Sequence, residues 1–310
     1  MTSPTSTRPP VGLNETAPAD PALATGVAIP AAAGAAPAGA ATLEALAPLA
    51  AAVKPVPHAL VTGATRGIGA AIALALAGAG WRVTLAGRAH AALEAVRASL
   101  PVSPGIAHAC VELDVTDAAS VARAFAEVHA RDGALQALVN NAGAVETGPL
   151  AKLPLATWDR MIAVNLTGVF LCTQAALPPM LAAKAGRIVN IASTAAQKGY
   201  AYCTAYAAAK HGVLGLTRSL ALEVAATGIA VNAVCPGYTD TDIVRTGVAR
   251  IVERTGRSEA ESLATFTASS PLQRLIRPDE VAATVRWLCA EAPAAFTGQA
   301  FSVSGGEVMA

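Results

Sequence analysis

Charged residues are scarce in this chain of 310 residues. They make up 14% of it, and 22 lysines and arginines nearly balance 21 aspartates and glutamates. A surface that binds nucleic acid needs a clustered excess of lysine and arginine, which the sequence lacks, so we expect no nucleic-acid partner. Apolar residues reach 54%, but charges or glycines interrupt the apolar stretches before the roughly 20 residues of a membrane span. We therefore expect no membrane span.

Cysteines are few and scattered. The five stand at positions 110, 172, 203, 235 and 289, without a Cys-x-x-Cys pair and without a histidine at ligand spacing. This pattern is typical of neither a disulfide framework nor a zinc site. We predict no metal, and a reducing cytoplasm as the location.

Residues 1–55 contain no aromatic residue and very few charges, and prolines interrupt them repeatedly. A basic start followed by a compact apolar core, as in a signal peptide, is missing, and so are the repeated arginines of a transit peptide. We expect a disordered Ala/Pro-rich extension, or a start codon placed too far upstream. Neither would contribute chemistry.

From Val56 onward, short apolar runs alternate with helical segments. This alternation predicts an α/β fold: a doubly wound parallel sheet of the Rossmann type, forming a single domain over residues 56–310. The predicted strands are 58–62, 82–86, 107–113, 137–140, 187–192, 229–234 and 300–303. The predicted helices are 67–79, 89–99, 117–131, 156–183, 204–226 and 278–290.

A glycine-rich loop falls where the first strand turns into the first helix. Gly63, Gly67 and Gly69 permit a tight turn, and with Ile68 they bring backbone close to a pyrophosphate at a helix N-terminus. The spacing is Gly-x3-Gly-x-Gly, which departs from the general Gly-x-Gly-x2-Gly fingerprint. In this context it indicates a dinucleotide site.

The end of the second strand bears on the choice of dinucleotide. NAD sites usually place an acidic side chain there, whereas this chain has Gly87 followed by Arg88. Together with Arg66 of the glycine loop, Arg88 suits a 2′-phosphate, so we predict NADP without excluding NAD. The alternative is that both arginines are solvated surface residues.

Tyr206 and Lys210 stand four residues apart in a predicted helix, so they share a face. A free tyrosine has a pKa near 10, and a nearby ammonium would lower it toward the range useful for proton transfer. Ser193 ends a predicted strand 13 residues before Tyr206 and could hydrogen-bond a substrate oxygen. Alone, such a pair is usually a surface feature.

With these motifs in order, the sequence resembles the compact branch of the short-chain dehydrogenase/reductase family over residues 57–306. The matching residues are Thr62, Gly63, Gly67, Ile68, Gly69, Asp114, Asn140, Asn141, Ala142, Gly143, Asn165, Ser193, Tyr206, Lys210, Pro236, Gly237, Thr239 and Thr241. We interpret Asn140 separately, as a buried tie between adjacent strands.

The resemblance implies a role for each matching residue. Tyr206 would be the general acid/base, Ser193 would orient the carbonyl, and Lys210 would hold the nicotinamide ribose and tune Tyr206. Asn165 would anchor a water relay to Lys210. The remaining cofactor-binding positions it implies are Asp114 with Val115 at the adenine, Asn141, Ala142 and Gly143 at the adenosine ribose, and Pro236, Gly237, Thr239 and Thr241 near the nicotinamide and phosphates.

Substrate choice is expected to depend on residues 194–205, with Gln197, Lys198, Tyr200 and Tyr202, and on a helical flap over 242–270. Arg245 or Arg250 of the flap would meet the phosphates of an acyl thioester, unless the flap is simply a solvated, salt-bridged surface. The chain looks most like 3-oxoacyl-thioester reductases and 3-hydroxyacyl-CoA dehydrogenases, that is, enzymes that interconvert a ketone and a secondary alcohol. Polyketide-type ketoreductases are the alternative, followed by a catalytically silent nucleotide sensor. The family likeness also implies a homotetramer.

Overall fold

A parallel sheet forms the centre of the molecule. The computed structural model describes residues 56–309, and the extension expected at 1–55 lies outside these described residues. Within them, seven strands pair in the order β3-β2-β1-β4-β5-β6-β7. Their bounds are β1 His58–Thr62, β2 Arg82–Gly87, β3 Ala109–Glu112, β4 Ala137–Asn140, β5 Gly186–Ile191, β6 Ile229–Pro236 and β7 Ala300–Val303.

The central strands form because their residues are apolar on both faces. Every residue of β1, β4 and β6 is buried, as expected for a parallel sheet covered by helices on both sides. The register places Leu60 of β1 opposite Thr84 of β2 and Leu138 of β4. The strand order reverses between β1 and β4, and this switch point opens a crevice at the carboxyl ends of the strands, where ligands of such folds bind.

Helices cover both faces of the sheet. Residues of α1, α2 and α9 share one hydrophobic core with the sheet, and residues of α3, α5 and α6 share the core on the other side. The bounds are α1 Gly67–Gly78, α2 His90–Ala98, α3 Ala118–Asp132, α4 Leu155–Ile162, α5 Gly168–Ala183, α6 Thr204–Val224, α7 Asp242–Thr255, α8 Glu259–Thr267 and α9 Pro278–Ala290. The predicted doubly wound α/β fold is confirmed.

Two predicted helices have a finer structure than the sequence indicated. The helix expected at 156–183 consists of α4 and α5 joined by a π-helical turn, Ala163–Thr167. The flap expected at 242–270 divides into α7 and α8. Gly256 ends α7 in the left-handed conformation, and Ser258 starts α8 with a capping box to Glu261.

The continuous stretch Leu155–Ala183 is long and apolar enough, by length and composition alone, to cross a membrane. The prediction that every apolar stretch stops short of that length is therefore wrong. In its most apolar part 39% of the residues are buried within the molecule, and Cys172, Ala176 and Met180 pack in the core beneath the sheet. A helix that covers a sheet in a soluble protein has the same properties, so the stretch does not by itself indicate a membrane span.

Candidate active site

The predicted site residues gather at the carboxyl ends of the central strands. Gly63 follows β1, Asn141 follows β4, Ser193 follows β5, and Gly237 follows β6. Because these strands are parallel neighbours, their ends meet at one edge of the sheet. The sheet therefore brings together residues that are up to 174 positions apart in the sequence.

The glycine loop is shaped by contacts that leave no space for side chains. Gly63 has a φ of +65°, and a Cβ on Gly69 would lie 2.4 Å from the Gly63 carbonyl oxygen. The Asn141 amide donates hydrogen bonds to the carbonyl oxygens of Thr62 and Gly63, at 2.9 and 3.1 Å. Asn141 thus holds the loop, and its expected contact with the adenosine ribose stays a prediction. Ala142 donates its N–H to Thr62 Oγ1.

The start of α1 suits an anion. Among the described residues, no side chain caps this helix, and its first turn, which contains Gly67, Ile68 and Gly69, holds no acidic residue. Uncapped N–H groups at a helix N-terminus bind phosphate groups well. Arg66 precedes the helix with its side chain 73% exposed, and its Nη1 lies 3.4 Å from Asp242 Oδ2. These features fit a dinucleotide pyrophosphate.

The region expected to hold the adenosine lies at the ends of β2 and β3. Arg88 is exposed, and its charge contributes to the lowered pKa of Asp114, after the hydrogen bonds from Thr116. Those bonds, from the Thr116 N–H and hydroxyl, measure 2.9 and 2.7 Å. Val115 is buried against Gly168. The charge of Arg88 thus acts at Asp114, and the binding of an adenosine phosphate in this region stays a prediction.

The loop after β6 returns to the glycine loop. Gly237, after Pro236, donates its N–H to the Val303 carbonyl oxygen at 3.0 Å. Thr239 is buried, and Thr241 begins α7 with its methyl group 3.2 Å from the position of a Cβ on Gly67. This loop could therefore close over the phosphates of a bound dinucleotide.

Tyr206 is half-buried in the first turn of α6. Burial raises the pKa of its phenol to about 12, against the lowering effect of the nearby Ser193 hydroxyl. Ser193 itself caps the helical turn after β5, where its Oγ accepts the Ala195 N–H at 3.1 Å. The net shift in this structure is therefore upward, and the expected lowering of the Tyr206 pKa by Lys210 stays a prediction.

Lys210 lies one turn after Tyr206, and its ammonium group is buried. The Nζ donates a hydrogen bond to the Ile191 carbonyl oxygen at 2.8 Å and lies 5.7 Å from the centre of the Tyr206 ring. Removal from water lowers the pKa of Lys210 to about 8. The group therefore changes charge near neutral pH, as a group that takes part in proton transfer would.

Asn165 lies in the π-helical turn between α4 and α5 and is fully buried. Its Oδ1 accepts the Ala144 N–H at 3.2 Å, and its Nδ2 donates to the carbonyl oxygens of Ala144 and Met161, at 2.9 and 3.0 Å. A Cβ on Gly143 would lie 2.8 Å from Asn165 Oδ1 and 3.7 Å from Lys210 Nζ. Asn165 and Lys210 thus flank one glycine, and the water relay between them stays a prediction.

Asn140 has the structural role that the sequence analysis gave it. Its amide donates to Asn190 Oδ1 on β5 at 2.9 Å and to Thr173 Oγ1 on α5 at 3.0 Å. The prediction of a tie between adjacent strands is confirmed. No metal-binding cluster of histidine, cysteine, aspartate or glutamate occurs within residues 56–309.

Sequence reasoning missed Glu307, a carboxylate beside the loop that follows Ser193. Its side chain is 1% exposed and accepts a hydrogen bond from the Tyr200 hydroxyl at 2.7 Å. Only its position soon after the last strand could have drawn attention to it, since its partners lie 38 residues or more away in the sequence.

Known proteins are similar to this chain in both sequence and fold. A protein of the granaticin polyketide synthase from Streptomyces violaceoruber, named as a ketoacyl reductase, is 44% identical over 255 residues, which cover 81% of this chain and 92% of that protein. A 3-oxoacyl-[acyl-carrier-protein] reductase from Synechocystis sp. is 42% identical over 253 residues, or 81% of this chain and 96% of that protein.

Among solved structures, a variant of actinorhodin polyketide ketoreductase with NADPH superposes with a TM-score of 0.76 and 38% identity, covering 81% of this chain and 97% of that one. The model of the family described as short chain dehydrogenase matches residues 57–250. The chain therefore belongs to the short-chain dehydrogenase family and is an oxidoreductase that acts on alcohol and ketone groups with a nicotinamide cofactor.

Proposed function

We propose that this protein is an NADPH-dependent reductase of 3-oxoacyl thioesters, carried on CoA or on acyl carrier protein. The observation that carries the proposal is the meeting of Ser193, Tyr206 and Lys210 with the glycine loop at one edge of the sheet. The names of the granaticin and Synechocystis relatives, a ketoacyl reductase and a 3-oxoacyl-[acyl-carrier-protein] reductase, support a ketone on an acyl chain as the substrate.

The chain's own residues would act on the carbonyl oxygen. When bound, the reduced nicotinamide supplies a hydride to the carbonyl carbon. Ser193 would donate a hydrogen bond to the oxygen, and Tyr206, whose raised pKa keeps its phenol protonated, would transfer its proton there as negative charge develops. The Lys210 ammonium, in its cationic form below about pH 8, would stabilise the resulting phenolate and hold the nicotinamide ribose.

Preference for NADP would come from two arginines. Arg66 and Arg88 are both exposed at the crevice edge, and Gly87 supplies no carboxylate to bind a ribose 2′-hydroxyl. Two guanidinium groups can hold a 2′-phosphate through charge-assisted, bidentate hydrogen bonds. The NADPH in the actinorhodin ketoreductase structure supports the same choice.

Steady-state turnover of the full chain with acetoacetyl-CoA tests both halves of the proposal, by the loss of absorbance of NADPH and, separately, of NADH. We expect NADPH to be preferred by at least about tenfold in kcat/KM, and Arg88→Ala to remove most of this preference. Arg123→Ala, an exposed arginine on α3, is the matched control. Preference for NADH would contradict the phosphate site, and absence of turnover with either cofactor would contradict the thioester.

Within the flap, Arg250 is the better candidate for the thioester phosphates. Arg245 already pairs with Asp240, with 3.1 Å between its Nη2 and the carboxylate oxygen. Arg250 is exposed on α7, and its charge contributes to the lowered pKa of Glu146, after the hydrogen bond from Arg160. Arg250→Ala should raise the KM for acetoacetyl-CoA and leave the KM for a small uncharged ketone unchanged.

A polyketide ketone is the second candidate substrate. The granaticin relative and the actinorhodin ketoreductase structure favour it. A bicyclic ketone separates the two: higher kcat/KM for the bicyclic ketone than for acetoacetyl-CoA would favour the polyketide substrate.

Assembly and location complete the proposal. We infer a homotetramer in the cytoplasm with no membrane partner. The large exposed apolar side chains Phe170 on α5 and Leu222 on α6 support burial of these helices between subunits. Light scattering after size-exclusion chromatography would contradict the assembly if it gave the mass of one chain.

A further inference from the structure

A buried carboxylate lies outside the catalytic group and joins three separate segments. Glu307 Oε1 accepts hydrogen bonds from Tyr200 Oη at 2.7 Å and from Ser269 Oγ at 2.8 Å, and Lys198 Nζ lies 3.2 Å away. Burial of a carboxylate is costly unless charge and hydrogen bonds compensate it, and an apolar residue would fill such a space at lower cost. The three donors at Glu307 Oε1 therefore indicate a specific role.

The three segments are those that must be arranged around a substrate. Tyr200 and Lys198 belong to the loop that follows Ser193, Ser269 follows α8 at the end of the flap, and Glu307 follows β7. The other carboxylate oxygen, Oε2, would lie 3.2 Å from a Cβ on Gly237, at the expected nicotinamide end of the crevice. Glu307 is thus next to the reacting region without lining it.

The hydrogen-bond network around Glu307 extends to Thr194, the residue that follows Ser193. Tyr200 Oη lies 2.7 Å from Thr194 Oγ1 as well as 2.7 Å from Glu307 Oε1. The carboxylate can only accept, so the single phenol proton goes to Glu307 and Thr194 donates to the phenol oxygen. Burial raises the pKa of Tyr200, which keeps that proton in place. A continuous chain therefore runs from Thr194 through Tyr200 and Glu307 to Ser269.

We propose that Glu307 is a positioning residue, which fixes the Ser193 loop and the flap at one distance from each other through Tyr200 and Ser269. The inference deepens the proposed ketone reduction and rests on it for its kinetic readout. Through Thr194 the carboxylate holds the Ser193 hydroxyl where the carbonyl oxygen develops charge. Through Ser269 it holds the flap over the remainder of the substrate.

The two arms of this link predict different kinetic effects. Tyr200→Phe disconnects the Ser193 loop, so we expect kcat to fall about fivefold or more with KM little changed, because orientation at the reacting atoms is lost. Ser269→Ala disconnects the flap, so we expect KM to rise about threefold or more with kcat little changed. If the role of Glu307 were purely structural, the two substitutions would lower thermal stability without separate effects on kcat and KM.

Substitution of Glu307 itself provides the third test. Glu307→Ala should combine both effects, whereas Glu307→Gln keeps an acceptor oxygen for Tyr200 and Ser269 and should recover most of kcat and KM. Ser270→Ala is the matched control, since the Ser270 hydroxyl is buried without a hydrogen-bond partner among residues 56–309. If Tyr200→Phe and Ser269→Ala leave kcat and KM as in the wild type, or if the glutamine variant behaves as the alanine variant does, the proposal is wrong.

Hydrogen exchange of the full chain with NADPH separates this proposal from the proposed function. Glu307→Ala should speed exchange in both 194–203 and 259–271, and Ser270→Ala should speed it in neither. If the two variants show these exchange rates but the wild type does not reduce acetoacetyl-CoA, the result would contradict the thioester activity alone. Faster exchange in only one of the two segments, or in neither, would overturn the link.

Discussion

At the scale of single residues, burial moves the pKa values of the two central groups apart. The pKa of Tyr206 rises to about 12 and that of Lys210 falls to about 8, because each loses contact with water in its charged form. At pH 7 both groups are therefore protonated. This is the state that reduction requires, since the carbonyl oxygen must receive a proton.

The titration of Lys210 predicts the pH dependence of reduction. A group with a lowered pKa of about 8 is charged below that pH and loses its charge above it, while Tyr206 stays protonated until about 12. We expect kcat for ketone reduction to be constant below about pH 7 and to fall above about pH 8. A profile measured from pH 6 to 10 with saturating NADPH checks this, and a constant kcat up to pH 10 would contradict it.

Replacement of Tyr206 by phenylalanine removes the proton donor and keeps the ring. We expect kcat to fall by a factor of about 100 or more, because positioned acid catalysis typically contributes that much. NADPH affinity, measured by cofactor fluorescence, should change less than about threefold. Turnover close to that of the wild type would instead indicate a nucleotide sensor in which Tyr206 has no chemical role.

At the scale of elements, the strands and most helices could be predicted from local sequence, but the π-helical turn could not. The apolar period over 156–183 indicates one helix. The turn places the Asn165 amide between Met161 of its own helix and Ala144, which lies in a loop 21 residues earlier in the chain. That loop's position depends on tertiary structure, so no local pattern contains it. The same holds for Glu307 and its partners.

The turn from β1 into α1 provides a prediction with an internal control. Gly69→Ala would place a Cβ 2.4 Å from the Gly63 carbonyl oxygen and 2.5 Å from Asn141 Nδ2. The loop must shift, so we expect a loss of about 2 kcal/mol in unfolding free energy and at least about a tenfold loss of NADPH affinity. Gly78→Ala, at the other end of the same helix, adds a Cβ that meets nothing within 4 Å.

Because alanine favours helix over glycine, the Gly78 variant should be as stable as the wild type or up to about 1 kcal/mol more stable, with unchanged NADPH affinity. Denaturant unfolding and cofactor titration of both variants give the comparison. Equal NADPH affinities in the two variants would show that the close contacts at Gly69 do not shape the site.

At the scale of the whole molecule, the alternation of strands and helices was sufficient to predict the sheet, because connection rules leave few ways to order parallel strands. Ion pairs that depend on the placement of individual side chains could not be predicted from the sequence. Arg66 was expected to face a phosphate, and the structure also brings it 3.4 Å from Asp242 of α7, 176 residues later. Charge complementarity alone does not select this aspartate from the other acidic residues.

A buried histidine lies at the amino ends of the strands, on the side of the sheet away from the site. His58 begins β1, is 2% exposed, and hydrogen-bonds Thr84 Oγ1 through Nε2 at 2.9 Å. Its Nδ1 is buried without a partner among the described residues. Burial lowers the pKa of His58 to about 4, despite the raising effect of Asp132. The folded chain therefore holds the imidazole neutral.

This histidine makes the stability of the fold depend on pH. Between pH 6.5 and about 4 the unfolded chain binds a proton at His58 that the folded chain does not, so the free energy of unfolding must fall as the pH drops through this window. We expect the wild type to lose about 2 kcal/mol more between pH 7 and 4.5 than His58→Gln does, measured by urea unfolding. His90→Gln, at an exposed histidine on α2, should retain the dependence of the wild type. Equal slopes for the His58 variant and the wild type would show that this imidazole is protonated as readily in the fold as in water.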